Sequence, residues 1–514
     1  MNWRKWWDDP STRRKILLAL LALLGLAIAV VASLVFFTPK ERARFADEPK
    51  DRTERESFPL LPALPQHPQI QVYTNHSRAA TYIDPYRQFR RYGDNFEQIL
   101  IDQVQRARRT IDVAAQEFRL PNLMRALLER QKAGVKVRVI IENSYNRTVP
   151  EMLRSLENQE KLSEHVSSRY EELVAFTDLN KDGQLSEAEL GQRDAVWMMR
   201  KNRLPYLDDT ADGSKGSGLM HHKFMVVDGE TVVVSTANFT PSDMHGDFEA
   251  PDTRGNANNL VVIQSPQLAR IFLQEFNLMW GDGPGGQTDS RFGTKKPHRP
   301  IQFVDVGGAS IGVKFSPDSR RVPFERTSNG AIAAALEAAR QRIDFMLFVF
   351  AEPRLGNLLE QKQAKGVKIR GLVDSGFAYT TYATTLDMWG YLSTQDCASG
   401  NGRPWRNPLT TVGIARIARG DKLHHKSAVI DRQTIVTGSH NWSTNANHTN
   451  DETLLVIRHP TVAAHYDREF ERLYEGAILG PSPRAQERAL KTCPPKPARP
   501  PAKPRAKSRT AAPR

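Results

Sequence analysis

Two stretches of this chain hold residues whose types and spacing could do chemistry. The second reads LHHKSAVIDRQTIVTGSHN from Leu423 to Asn441. His424 and Lys426 stand two residues apart, Asp431 follows five after the lysine, and Gly438-Ser439-His440-Asn441 closes the stretch. Residues 427–430 and 434–437 are rich in Val, Ile and Thr and are predicted to form short strands. In a strand, residues i and i+2 share a face, so His424 and Lys426 project together while His425 points away. An imidazole beside a fixed ammonium suits phosphate-ester chemistry: one group attacks or moves a proton, the other holds anionic oxygens. A single HxK is common in any basic chain. Here it occurs twice, because His221-His222-Lys223 is followed by four residues, Asp228, six residues and Ser235-Thr236-Ala237-Asn238. The spacings match residue for residue, so a basic pair on an exposed strand is the weaker reading and a duplicated active-site half the stronger one.

The doubled H-x-K-x4-D-x6-G-S-x-N pattern resembles the phospholipase D superfamily, over about residues 70–480. The first copy departs from it with Ser235 and Thr236 in place of Gly-Ser, both small and polar. The resemblance implies one site formed from both halves about a pseudo-twofold axis, in a chain that is a monomeric pseudo-dimer. It also implies a covalent phosphohistidine, with the first-half histidine as nucleophile. The chemistry of the residues agrees. A neutral imidazole can attack phosphorus, and a protonated one can serve the leaving alkoxide. Lys223 and Lys426, with Asn238 and Asn441, would hold the non-bridging oxygens. No metal is required by this scheme. Asp228 and Asp431, grouped with the catalytic set by their place in the motif, read as structural or orienting residues rather than proton carriers, and Ser439 completes the second motif. In the resembled family a glutamate after the motif hydrogen-bonds across the site. Glu452 matches it, and Asn258 is the aligned first-half residue. A carboxylate near His424 would keep that imidazole protonated as an acid, leaving His221 the more readily neutral nucleophile.

The elements that must position these residues also repeat. A helix is predicted from about Asn95 to Arg109, then a strand over 111–114, a helix over 121–133 stopped by Gly134, and a strand over 135–141. The same order recurs at 343–349, 354–364, Gly366 and 367–373. Strand–helix–strand repeats predict an α/β fold of two related halves, each a mostly parallel sheet flanked by helices. The halves would span residues 67–290 and 301–480, each closing on a similar helix, with Glu275-Phe276 answering Glu469-Phe470.

The first half carries extra residues before His221, an insertion at about 167–200. Within it, Asp178 to Glu189 matches an EF-hand calcium loop. Asp178, Asn180, Asp182, Ser186 and Glu189 supply side-chain oxygens, Gln184 a carbonyl, and Gly183 the turn. Helical flanks are predicted over 168–177 and 187–199. An Asp/Asn-rich surface turn would imitate the first six positions but would not need Glu189 at the twelfth. No second such loop occurs, which favours a structural role for calcium over a sensing one.

Net charge is +14, but residues 481–514 hold ten Lys/Arg and one acid, so the body is only mildly basic. High pI alone therefore says little about nucleic acid. Ile16 to Phe37 gives 22 residues without a charge, long enough to span a bilayer as a helix. Arg13, Arg14 and Lys15 before it put residues 1–15 in the cytoplasm and the body outside. Secretion after signal cleavage is the alternative. Residues 38–66 read as a tether, and 481–514 as a disordered basic, Pro-rich tail. Cys397 and Cys493 have no metal-ligand neighbours, and their pairing is left open.

Substrate rests on less. Phospholipid-transferring branches of the resembled superfamily continue the motif as Asn-hydrophobic-Asp-x-Arg-Ser. This chain has Asn238-Phe239-Thr240 and Asn441-Trp442-Ser443. That favours a nuclease-like phosphodiesterase on nucleic acid. A phospholipase or phospholipid transferase (cardiolipin synthase-like) is the alternative, favoured by the membrane run, and a non-catalytic calcium-binding scaffold is the third reading.

Overall fold

Along the motif strands, residues 223–227, 231–235, 426–430 and 434–438, nearly every residue is buried, so both faces of each strand are covered. In the computed structural model, which describes residues 59–158, 162–214, 217–248, 253–392 and 403–481, two sheets carry the two motifs. The first half contributes β1 (Ile70–Thr74), α1 (Phe96–Arg106), β2 (Thr110–Ala115), α2 (Pro121–Lys132) and β3 (Lys136–Ile141). The insertion follows as α3 (Glu164–Thr177), α4 (Glu187–Arg193) and α5 (Ala195–Lys201). Then come β4 (Tyr206–Asp208), β5 (Lys223–Val227), β6 (Thr231–Ser235), β7 (Asn259–Gln264) and α6 (Pro266–Trp280). Among the described residues this sheet has the order β1-β7-β6-β5-β2-β3-β4.

The second half repeats the plan. It runs β8 (Gln302–Val306), β9 (Ala309–Ser316), α7 (Ser328–Glu337), β10 (Arg342–Leu347), α8 (Pro353–Ala364) and β11 (Lys368–Val373). After them come β12 (Val412–Ile414), β13 (Lys426–Ile430), β14 (Thr434–Gly438), β15 (Glu452–Arg458), α9 (Pro460–Tyr474) and β16 (Ile478–Leu479). The order β8-β9-β15-β14-β13-β10-β11-β12-β16 reproduces the first sheet strand for strand and adds β8 and β16 at its edges.

The expected mostly parallel sheets are mixed instead. The predicted strand–helix–strand units do give the parallel pairs β2–β3 and β10–β11. The motif strands cannot follow them. Only Asp228-Gly229-Glu230 joins β5 to β6, and so short a connection returns the chain antiparallel. β7 then pairs antiparallel with β6, and β15 with β14.

Strand alternation sorts the apolar side chains. Phe224, Val226, Val232, Val234, Val261 and Ile263 enter a core shared with Phe315, Val429, Ile435, Leu455 and Ile457 of the second half. Met225, Val227, Val233, Leu260 and Val262 face the opposite side, against Phe96, Leu100 and Leu127 of α1 and α2. Burying a side chain of this size stabilises by about 1.5–3 kcal/mol, so the shared core binds the halves into one body.

In the insertion the helix predicted over 187–199 is two helices. Asp194, buried, ends α4 and caps α5, accepting from the backbone N–H groups of Val196 and Trp197 and also of Val149. Residues 1–58 with the apolar run 16–37, the tail from 482, Cys397 and Cys493 lie outside the described residues. Among the described residues no helix is long and apolar enough to cross a membrane.

Candidate active site

Backbone pairing between the halves builds the site. A parallel bridge joins Met220 to Asp451, and the His221 N–H donates to the Asp451 carbonyl at 2.9 Å. A second parallel bridge joins Ala257 to Leu423, and the His424 N–H donates to the Ala257 carbonyl at 2.9 Å. The chain entering each motif strand is thus stitched to the chain entering the last large strand of the other half. Each histidine therefore meets a residue at the start of the opposite strand, Glu452 as the first of β15 and Asn258 just before β7.

His221 Nδ1 donates to Glu452 Oε2 at 2.6 Å. Ser439 Oγ donates to the same oxygen at 2.7 Å and Asn450 Nδ2 to the other at 3.2 Å. His424 Nδ1 donates to Asn258 Oδ1 at 3.0 Å, and Thr236 Oγ1 donates to that oxygen at 2.7 Å. Thr236 therefore does in the first motif what Ser439 does in the second, and the departure from Gly-Ser leaves the constellation intact. The expectation that Glu452 supports His424 is overturned, because the strands cross and the carboxylate belongs to His221. The position aligned with it, Asn258, serves His424 with a neutral amide.

The charge at these buried groups is poised for an anion. Burial lowers both imidazoles well below their ordinary range, and the two lysines add to the effect on each. Burial pushes Lys223 down to about 7, and Lys426 falls well below its usual value for the same reason. Lys223 Nζ donates to Gln116 Oε1 and the His221 carbonyl, both at 2.9 Å. Lys426 Nζ donates to the His424 carbonyl at 2.7 Å and lies 4.9 Å from the centre of the Phe348 ring. An arriving phosphodiester would supply the missing negative charge and draw protons back onto these groups.

Asp228 and Asp431, grouped with the catalytic residues by sequence, stand apart from them. Each lies past the far end of a five-residue strand from its lysine, roughly 17 Å away by strand rise. Asp228 takes a left-handed backbone (φ 54°) and its carboxylate accepts from the N–H groups of Arg108, Arg109 and Thr110. Asp431 (φ 51°) does the same for Arg340, Gln341 and Arg342. They anchor the starts of β2 and β10, and those amides hold both carboxyls below the usual range.

Asn238 and Asn441 keep carbonyl oxygens that are buried without a partner. Asn238 Nδ2 is engaged by Asp243 Oδ2 at 2.9 Å, a residue that sequence reasoning missed. The second histidine of each pair points away as predicted. His222 meets Thr453 Oγ1 at 2.8 Å and lies 3.6 Å from Glu275; His425 meets Asn259 at 2.9 Å and lies 3.5 Å from Glu469. The repeated Glu-Phe of the closing helices was the legible signal for those partners.

Also unread from sequence was an aromatic side to the site. Phe348 packs edge-on to His424 with ring centres 4.6 Å apart, and Phe377 packs on Phe348 at the same distance. The equivalent first-half residue is Gln116, so the two sides differ in polarity.

Residues 100–280 and 332–474 match the family described as cardiolipin synthase, PLD-like domain. A mitochondrial cardiolipin hydrolase of Mus musculus is 28% identical over 200 residues, covering 35% of this chain and 77% of that protein. One of Xenopus laevis is 26% identical over 188 residues, covering 35% and 79%. Phosphatidylserine synthase from Haemophilus influenzae Rd KW20 aligns with a TM-score of 0.48 at 13% identity, over 81% of this chain and 88% of that one. The phospholipase D family member Nuc from Salmonella typhimurium aligns with a TM-score of 0.23 at 19% identity, over 42% and 97%. With both motif halves inside the matched residues, the chain belongs to the cardiolipin synthase PLD-like family of the phospholipase D superfamily.

Proposed function

We propose that this protein is a phosphodiesterase that hydrolyses a phospholipid headgroup ester through a phosphohistidine. The observation that carries the reading is the crossed pair of histidines, His221 held by Glu452 and His424 by Asn258, between two buried lysines. Donation of Nδ1–H to Glu452 leaves the His221 Nε2 lone pair for phosphorus. As the N–P bond forms, the P–O bond to the leaving alkoxide breaks and His424 gives that oxygen its proton. The carboxylate offsets the positive charge the attacking ring acquires. His424, whose Nδ1 is fixed by Asn258, presents Nε2 to the leaving oxygen as the proton donor. Neutral His424 then takes a proton from water, whose oxygen displaces His221 from phosphorus and regenerates both groups.

Two observations support lipid over the nucleic acid expected from the motif endings. The relatives are named for cardiolipin hydrolysis, and the family for cardiolipin synthesis. The motif endings also serve other purposes. Phe239 and Trp442 are buried, packed on Phe118 and on Phe345 and Phe350. Thr240 and Ser443 cap the short helices after them. Residues occupied by packing and capping carry no information about substrate. The apolar run 16–37 would hold the body at a membrane surface, on its extracytoplasmic side, where such a substrate lies.

The test is an assay of the full chain in detergent and EDTA against cardiolipin, phosphatidylglycerol, single-stranded DNA and RNA side by side. Phospholipid turnover that survives chelation is expected. Cleavage of nucleic acid with lipid untouched would contradict the reading. Product transfer to an added alcohol would mark a transferase.

We also propose that the Asp178–Glu189 loop binds calcium in a structural role. Supporting this are helices on both sides, Gly183 in the left-handed region (φ 78°), and a buried Asp178 Oδ1 without a hydrogen-bond partner. Among the described residues no three acidic, histidine or cysteine side chains yet converge as a cage. Glu189 instead accepts from Ser186 and from the N–H groups of Leu179 and Asn180. Binding would redirect those oxygens, which have further lone pairs. Calorimetry should find a site of roughly 10⁻⁴–10⁻³ M in the wild type that Glu189→Gln weakens at least tenfold. Absence of calcium heat in the wild type would refute it.

A further inference from the structure

The first half lacks the carboxylate that Glu452 supplies in the second, yet His424 has an acid beside it. Asp243 Oδ1 lies 3.3 Å from His424 Nδ1. This residue is buried (4% exposed) and sits on the short helix Pro241–Met244, outside both repeated motifs. Its two oxygens collect four side-chain donors. Asn256 Nδ2 and Asn258 Nδ2 donate to Oδ1 at 3.1 and 3.2 Å, and Asn238 Nδ2 and Thr240 Oγ1 to Oδ2 at 2.9 and 3.2 Å. Asn258, the aligned amide, stands between the two, accepting from His424 and donating to Asp243.

We propose that Asp243 is the positioning carboxylate of His424, supplying from the short helix Pro241–Met244 the acid that the first half lacks at Asn258. This rests on His424 being the general acid in the proposed function. Its charge stabilises the imidazolium once substrate is bound, while Asn258 fixes the ring through Nδ1. The other charged or titratable groups acting on His424 are Lys426, Lys223, His221 and His425. Those around Asp243 include Arg169 of α3, Tyr145, Asp247 and the two lysines. Arg169 itself is paired with Glu117, so the insertion packs its first helix beside this acid.

The test uses the full chain, its best phosphodiester substrate, and bis(p-nitrophenyl) phosphate, whose leaving group needs no proton. Asp243→Asn should lower kcat on the natural type of ester about 10²-fold, within the range for general acid catalysis, and lower it less than about fivefold on the p-nitrophenyl ester. Loss of the carboxylate destabilises the imidazolium. The alkaline limb of kcat, where the acid loses its proton, should therefore move to lower pH. Adding Asn258→Asp to Asp243→Asn returns a carboxylate to the ring and should recover at least tenfold of the loss and move the limb back. A residue that merely held Asn238 and Asn256 in place would not be rescued this way. Wild-type kcat and pH profile in Asp243→Asn would overturn the proposal. So would equal losses on both esters in the single and the double variant. His424→Ala, run alongside, separates the premise from the proposal, because without leaving-group dependence in that variant it is the acid assignment that fails.

Discussion

Replacing His221 by alanine should lower kcat by on the order of 10⁴–10⁶-fold on every ester, the p-nitrophenyl one included, because no covalent intermediate can form. His424→Ala should cost about 10²–10⁴-fold on alkoxide leaving groups and far less on p-nitrophenolate. The double variant should be little worse than His221→Ala alone, since residues that act as one unit lose their effects together. Neither change should abolish folding. Each removes a ring that is about 95% buried, and the oxygen it leaves keeps a second donor, Ser439 for Glu452 and Thr236 for Asn258, so the lost hydrogen bond costs about 0.5–3 kcal/mol. Steady-state kinetics with a thermal melt on each variant checks all of this. Equal, leaving-group-independent losses at both positions would mean that the two histidines do not divide the labour of nucleophile and acid.

Glu452→Gln should separate activity from stability. The amide can still accept from His221 Nδ1, as Asn258 does for His424, but it cannot offset positive charge on the attacking ring. A loss of about 10²–10⁴-fold in kcat is expected, with KM nearly unchanged. Stability should move the other way at neutral pH. Burial raises the Glu452 carboxyl above its usual range. The folded state therefore holds that proton more tightly than the unfolded one, and stability falls as pH rises from the unfolded to the folded pKa. Glutamine removes that fall, so the melting temperature above this window should be unchanged or higher. A kcat loss matched by a large drop in melting temperature would make Glu452 a structural acid instead.

The chemistry was written in the sequence because the two motif copies keep one spacing, and a strand converts spacing directly into facing. His221 with Lys223, and His424 with Lys426, needed only the two-residue repeat. What depended on the other half was hidden. Glu452 reaches His221 rather than His424 because isolated bridges at Met220–Asp451 and Ala257–Leu423 cross the halves, and no local pattern encodes such pairing. Sheet direction was misjudged for a related reason. The strand–helix–strand repeats were visible, but the hairpin after Asp228 sets the direction of the strands that carry the site. Asp228 and Asp431 keep motif spacing because the fold needs three backbone amides capped there, not because the site needs a carboxylate. Asp243 lies in the segment where the halves diverge, so the repeat could not reveal it. Its one local trace is Thr240-Pro241 three residues upstream, a helix start that puts an acid in the first turn. Asp194 was likewise a cap inside an apparently continuous helical pattern.

The crossed site with His221 as nucleophile is tested most directly by trapping. Full-length protein is mixed with excess substrate, quenched in acid during turnover, digested and read by mass spectrometry, with His424→Ala alongside to slow release of the intermediate. A phosphoryl adduct on the peptide containing His221, enriched in His424→Ala and absent from His221→Ala, is the predicted result. An adduct on His424 in the wild type, or turnover with no adduct on either histidine, would contradict it.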